Sequence, residues 1–157
     1  MDLGIRGKVA FVSGGTRGIG RAAAEHFVRE GCRVVVVGRR QSSVDQALAA
    51  LRQGGGEVEG VAADLTDPED IKRAVQFARD TYGDPDIVVS NVHLGDGGAD
   101  GDGSFESLST ADYEAAFKEL TMSVVHLTRE VIPAMKVKRW GRSVSYTHLT
   151  LPTSPKV

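Results

Sequence analysis

Along the first forty residues the hydrophobic pattern switches between two periods. Residues 8–13, Lys-Val-Ala-Phe-Val-Ser, are a short apolar run of β-formers closed by Gly14-Gly15. Such a run predicts a buried strand ending in a turn. From 18 to 30 the apolar positions recur at helical spacing, with Ile19, Ala22, Ala23 and Phe27 expected on the inner face and His26 at its margin. Gly31 stands where a helix commonly stops, because glycine takes the left-handed conformation at no steric cost. Residues 33–37 then carry four consecutive valines. A run that is apolar on both faces predicts a central strand of a parallel sheet, since a half-solvated strand would alternate.

The alternation continues. Ser42 or Ser43 is expected to cap a helix carrying Val44, Leu48 and Leu51, which stops at Gly54-Gly55-Gly56. A third strand is predicted over 58–63. Asp67-Pro68-Glu69 is a strong helix start, with Asp at the N-cap and Pro at the first helical position. That helix runs to Tyr82 and ends at Gly83, and 87–90 form a fourth strand. A glycine–aspartate stretch, 95–103, separates this strand from a long helix opening at Ser109-Thr110-Ala111-Asp112. The long helix extends to Lys138, with Pro133 expected to bend it. Strand and helix in strict alternation mean βαβ units, hence an α/β, Rossmann-type doubly wound parallel sheet.

Composition changes little in this picture. The chain has 157 residues, enough for one domain with a real core, and 41% hydrophobic and 25% charged residues are ordinary for a globular protein. A formal net charge of -2 points to neither a nucleic-acid nor a membrane partner. No apolar run approaches the ~18 residues of a membrane span and no signal-peptide pattern precedes the first strand, so a cytoplasmic location is expected. The single cysteine, Cys32, is read as a small buried thiol rather than a nucleophile. Trp140 and Met135 read as packing residues. Asp96, Asp100 and Asp102 lack the frame and the distal Glu of a calcium loop, so no metal is expected and a polar lip beside a site is the simpler reading. His93 reads equally as a loop residue or as a group facing a site.

The chemistry concentrates in the first turn, Ser13-Gly14-Gly15-Thr16-Arg17-Gly18-Ile19-Gly20. Glycines there let the backbone turn sharply and approach a pyrophosphate, which a following helix N-terminus stabilises through its free N–H groups. A tight turn also needs glycine for steric reasons alone, but a position between a predicted strand and a predicted helix favours nucleotide binding. The second strand ends at Val37-Gly38-Arg39-Arg40. A site preferring NAD places a carboxylate near this strand end for the ribose 2′-hydroxyl. Here two arginines stand instead, suited to a 2′-phosphate, unless they are only solvated surface charges.

These residues resemble the short-chain dehydrogenase/reductase family. Gly14-x-x-x-Gly18-x-Gly20 has that family's spacing, with Ser13 where Thr is usual. Asp64, in Ala-Asp-Leu-Thr, matches the family aspartate that holds the adenine. Ser90-Asn91-Val92-His93 occupies the place of Asn-Asn-Ala-Gly and matches it only at Asn91. The resemblance covers residues 1 to about 142, and residues 1–4 and 135–142 are most similar to 3-oxoacyl-(acyl carrier protein) reductase-like members. It implies NADP(H) as cofactor, held by Ser13, Gly14, Thr16, Arg17, Gly18, Ile19, Gly20, Arg39, Arg40, Asp64, Leu65 and Asn91. It also implies a strand order of 3-2-1-4-5-6-7, a small carbonyl or alcohol substrate and a homo-oligomer for the full-length parent.

The family's proton donor is the Tyr of a Tyr-x-x-x-Lys pair after the fifth strand, with a Ser at that strand's end. Four residues beyond Tyr82, Tyr113 and Tyr146 lie Asp86, Phe117 and Thr150, so none makes the pair, and Leu120 aligns with the family asparagine. No catalytic residue is therefore expected, and the chain reads as an incomplete dinucleotide-binding domain over 1–142. Residues 143–157 are expected to be a non-native tail, because 144–153 resemble the translation of a transposase adapter. Ser145, Tyr146 and His148 are accordingly not read as a triad. With only strands 3, 2, 1, 4 and a damaged fifth, strand 4 is expected at or near an open edge, and the chain is expected to self-associate. The alternative function is a non-catalytic nucleotide-binding module.

Overall fold

The computed structural model describes residues 2–91 and 109–146. The elements are β1 (Val9–Ser13), α1 (Gly18–Arg29), β2 (Arg33–Gly38), α2 (Gln41–Arg52), β3 (Val58–Ala62), α3 (Pro68–Tyr82) and β4 (Ile87–Ser90). They are followed by α4 (Thr110–Ala116), a π-helical segment (Phe117–Met122), α5 (Ser123–Lys138) and β5 (Arg142–Ser145). The strands form one parallel sheet of order β3-β2-β1-β4-β5. This is the α/β, Rossmann-type arrangement that the alternating pattern predicts. His93, the 95–103 stretch with its three aspartates, and His148 lie outside the described residues.

Side-chain alternation along the strands divides the core in two. Ala10 and Val12, Val34 and Val36, and Ile87 and Val89 face α1 and α2, meeting Ala24, Val28, Val44, Leu48 and Leu51. Phe11, Val35, Val37 and Val88 face the other way, onto Ile71, Ala74, Val75 and Ala78 of α3 and Leu127 and Val131 of α5. All four valines of β2 are fully buried because helices cover both faces of the strand. Trp140 and Met135 pack against the first and second cluster respectively. Cys32 is buried, its Sγ donates to the Ile5 carbonyl, and burial pushes its pKa up, as an inert thiol requires.

The helix starts are partly as expected. Asp67 caps α3 by accepting from the Glu69 N–H at 2.9 Å, with Pro68 following, and Gly83 closes the helix at φ 101°. Ser109 and Asp112 form a reciprocal capping box on α4, and the bonds from the Ser109 hydroxyl and N–H lower the pKa of Asp112. For α2 the expected cap is corrected: Arg40 is the N-cap and Ser42 and Ser43 lie inside the helix. The Arg40 carbonyl already accepts from the N–H groups of Ser43 and Val44, so the helix is under way before either serine.

The structure revises one further expectation and adds detail to two. The buried positions of α1 are Gly20, Ala24 and Val28 rather than Ile19, Ala22 and Ala23, while Phe27 is half-buried. Hydropathy passes over glycine, yet Gly20 lies at the closest approach of this helix to the turn before it. The long helix departs from regular geometry at Phe117–Met122, well before Pro133, which lies inside α5. Finally, β4 lies next to the edge of the sheet, as expected. Strand β5 pairs with it from Ile87↔Arg142 to Ser90↔Ser145, across the expected boundary at 142 and 143. Every residue of β5 is exposed, so backbone hydrogen bonds rather than buried side chains hold it.

Candidate functional site

The carboxyl ends of β1, β2 and β4 converge on the glycine turn, where the sheet order reverses direction along the chain. Gly14 has φ 60°, and a Cβ there would collide with the Asn91 carbonyl oxygen. A Cβ on Gly20 would collide with the Gly14 carbonyl, so helix α1 can start this close to the turn only with glycine at that position. Gly18 differs from both: its φ is 55°, but a Cβ would meet nothing within 4 Å. Its need for glycine comes from backbone conformation, and the space beside it is open to a ligand. Arg17 is the N-cap of α1 in an extended conformation, and its side chain makes no capping hydrogen bond.

Beneath the turn, Ser13 and Asn91 stitch β1 to β4. The Ser13 hydroxyl donates to the Val89 carbonyl at 3.1 Å and accepts from the Asn91 N–H at 2.9 Å, while Asn91 Nδ2 donates to the Gly14 carbonyl. Ser13 is fully buried, and its side chain places the turn by joining β1 to β4. The Ser90 hydroxyl beside it is buried without a hydrogen-bond partner among the described residues.

A cleft of about 350 Å³ opens beside the turn, lined by Thr16, Arg17, Arg39, Arg40 and Ser43. Gly38 makes room for it, since a Cβ there would sit 2.5 Å from Thr16 Cγ2. Three guanidinium groups and two hydroxyls around one small cleft suit a phosphate monoester, because charge-assisted and bidentate bonds favour that geometry. Sequence reasoning placed both arginines here but treated Ser43 only as a helix cap. Its position in the first turn of α2, three residues after Arg40, is the signal that could have found it. A second groove of about 420 Å³, lined by Glu69, Lys72, Arg73, Gln76, Arg79 and Glu130, lies between α3 and α5 and carries both signs of charge.

Asp64 and Leu65 follow β3. Asp64 is exposed, and its carboxylate accepts from both the N–H and the hydroxyl of Thr66 at 2.9 Å. Leu65 turns its side chain into the core, which leaves its backbone for any ligand. The turn is tied down by Asp70, which accepts from the Asp64 N–H at 2.8 Å and pairs with Arg73. The Asp64 bond first, and the Arg73 bond second, hold the Asp70 carboxyl below its usual pKa. A folded pKa below the unfolded one gives stability above the unfolded value, lost as pH falls through the folded value. The tether therefore persists through neutral pH and releases only below the ordinary aspartate range. Asp70→Ala is expected to speed amide exchange at Asp64 several-fold at pH 7, read by hydrogen–deuterium exchange. Unchanged protection at Asp64 would remove Asp70 from this role.

Among the described residues there is no group of three or more His, Cys, Asp or Glu side chains placed to hold a metal ion, and no helix long and apolar enough to cross a membrane. Tyr82 is half-buried, and burial raises its pKa, while Tyr113 and Tyr146 are exposed. None has a lysine four residues on.

A parallel sheet of this order, opened at its carboxyl edge by a glycine turn feeding a helix, is the architecture of dinucleotide-binding α/β proteins. More narrowly, the chain belongs to the short chain dehydrogenase family, which it matches over residues 8–147. It is 35% identical over 147 residues to the uncharacterized oxidoreductase YvrD of Bacillus subtilis, covering 90% of this chain and 51% of that protein. It is 29% identical over 141 residues to the 3-oxoacyl-(acyl-carrier-protein) reductase FabG of Haemophilus influenzae, covering 90% of this chain and 55% of that one. L-Sorbose reductase from Gluconobacter frateurii, solved with NADPH and L-sorbose, superposes with a TM-score of 0.81 at 32% identity, over 91% of this chain and 53% of the reductase. The chain thus spans about half the length of the relatives it matches.

Proposed function

We propose that this chain is the NADP(H)-binding part of an oxidoreductase acting on a carbonyl or alcohol, and that the 157 residues alone do not turn substrate over. The observation that carries the reading is the cleft of Thr16, Arg17, Arg39, Arg40 and Ser43 beside the glycine turn. Arg39 and Arg40 pair with the 2′-phosphate, with Arg17, Thr16 and Ser43 completing its surroundings. The backbone from Gly14 through Gly20, Ile19 included, cradles the pyrophosphate at the start of α1, while Ser13 and Asn91 hold that turn against β4. Asp64 and the Leu65 backbone bound the adenine. When bound, NADP(H) supplies the hydride; the residues here bind and orient it. In this reading the chemistry of proton transfer lies outside residues 1–142, 143–157 are foreign to the parent's sequence although Ser143, Val144 and Ser145 pair with β4, and the full-length parent is an oligomer. The NADPH seen with L-sorbose reductase supports the cofactor assignment.

Titration of the purified chain with NADPH and with NADH tests this. NADPH is expected to bind at least about 10-fold more tightly, the worth of one charge-assisted hydrogen bond. No steady NADPH oxidation is expected with ketone substrates. Equal affinities would overturn the cofactor assignment. Turnover that is lost in Tyr146→Phe would overturn the inactivity of the chain.

A further inference from the structure

Among the described residues, an acidic side chain from the second half of the chain lies beside the cleft. Arg39 Nη1 lies 3.8 Å from Glu119 Oε1 in the π-helical segment. The Glu119 side chain is only 17% exposed, whereas that of Arg39 is 56% exposed. A π-helical turn carries one more residue than an α-helical turn and re-aims the side chains it contains, which is why such segments recur at functional sites. At 3.8 Å the pair is longer than the 2.7–2.9 Å of a formed charge-assisted bond, so the guanidinium fork is attracted but not saturated. A dianionic phosphate entering the cleft takes up that fork and leaves Glu119 facing added negative charge.

We propose that Glu119 is a specificity-determining residue that competes with the nucleotide 2′-phosphate for Arg39. This rests on the proposed 2′-phosphate cleft and deepens it. Glu119 holds Arg39 while the cleft is empty and opposes the phosphate once it is filled. It thereby narrows the preference for phosphorylated over unphosphorylated adenosine ribose. A nucleotide with a free 2′-hydroxyl brings no second charge to the cleft and does not feel the competition.

Calorimetric titration of the whole chain with adenosine 2′,5′-bisphosphate and with 5′-AMP tests the assignment. Wild-type protein is expected to favour the bisphosphate, and a wild type that binds both equally, or neither, overturns the cleft and the competition together. Given that preference, Glu119→Gln is expected to tighten bisphosphate binding about 3–10-fold, the scale of a like-charge repulsion across some 7 Å when solvent screens it at a dielectric close to that of water. It is expected to leave 5′-AMP unchanged. Unchanged or weaker bisphosphate binding, or an equal gain for both ligands, overturns the role of Glu119 while leaving the cleft intact. In an Arg39→Gln background the Glu119→Gln gain is expected to shrink, because only the direct repulsion of the phosphate remains, and a gain undiminished there overturns competition for Arg39. Thermal melts of the variants that match wild type serve as the check on folding.

Discussion

Arg39→Asp is expected to reverse the nucleotide preference, weakening NADPH about 100-fold or more while NADH holds or improves. Hydrogen bonds to a charged group contribute about 1.5–3 kcal/mol each, and the substitution removes the Arg39 bonds to a 2′-phosphate. It also places a carboxylate at the end of β2, where it repels that phosphate and can accept from a 2′-hydroxyl. Arg39 lines the cleft with its side chain largely in solvent, so the fold does not depend on it. The shorter Asp side chain also stays farther from Glu119 than the guanidinium does. Dissociation constants for both nucleotides, measured on wild type and variant, give the answer. A variant that still prefers NADPH would mean that Arg17 and Arg40 suffice and that Arg39 is only a surface charge.

Asp86→Ala is expected to be the most destabilising single change near the amino-terminal edge of the sheet. Asp86 is 5% exposed, and its two carboxylate oxygens take the Val9 N–H at 3.0 Å and the Lys138 ammonium at 2.9 Å. Its backbone N–H donates to the Val9 carbonyl, and its carbonyl accepts from the Arg142 N–H. One residue thus gathers β1, β4, β5 and the end of α5. Truncation leaves the Val9 donor buried and unpaired and breaks a partly buried ion pair, costing about 2–4 kcal/mol. Against a total of about 5–15 kcal/mol, that is a large share. Lys138→Met is expected to cost less, because the ammonium is partly solvated and its pairing is screened. Urea unfolding midpoints would rank the two, and an Asp86→Ala midpoint within about 0.5 kcal/mol of wild type would refute the clamp.

Much of this protein is legible in local signals. The valine run of β2 can be stable only under two helical layers, so its place inside the sheet follows from hydropathy alone. Asp67-Pro68 marks the start of α3 because capping and the missing proline N–H are settled within four residues. The glycine turn and the paired arginines are equally local, since φ preference and fixed charge belong to the residues themselves. The chain's family could therefore be inferred from residues 13–20, 39–40, 64 and 91 before any coordinates.

Features that join distant segments were not legible. The inner face of α1 runs through Gly20, Ala24 and Val28 because Gly20 alone allows the helix to approach the Gly14 carbonyl, and hydropathy gives glycine no weight. Ser13 ends a predicted strand just before the glycine turn, but only register with β4 shows that its hydroxyl is committed to Val89 and Asn91. Ser43 enters the cleft, and Glu119 reaches Arg39 from 80 residues away, only once the sheet order and the π-helical segment have set their directions. Strand β5 pairs with β4 although its side chains bury nothing, because backbone hydrogen bonding needs a partner edge and no particular residues. Local propensity and hydrophobic period act over a few residues and survive in any context; burial, register and ion pairing are properties of what the rest of the chain brings alongside.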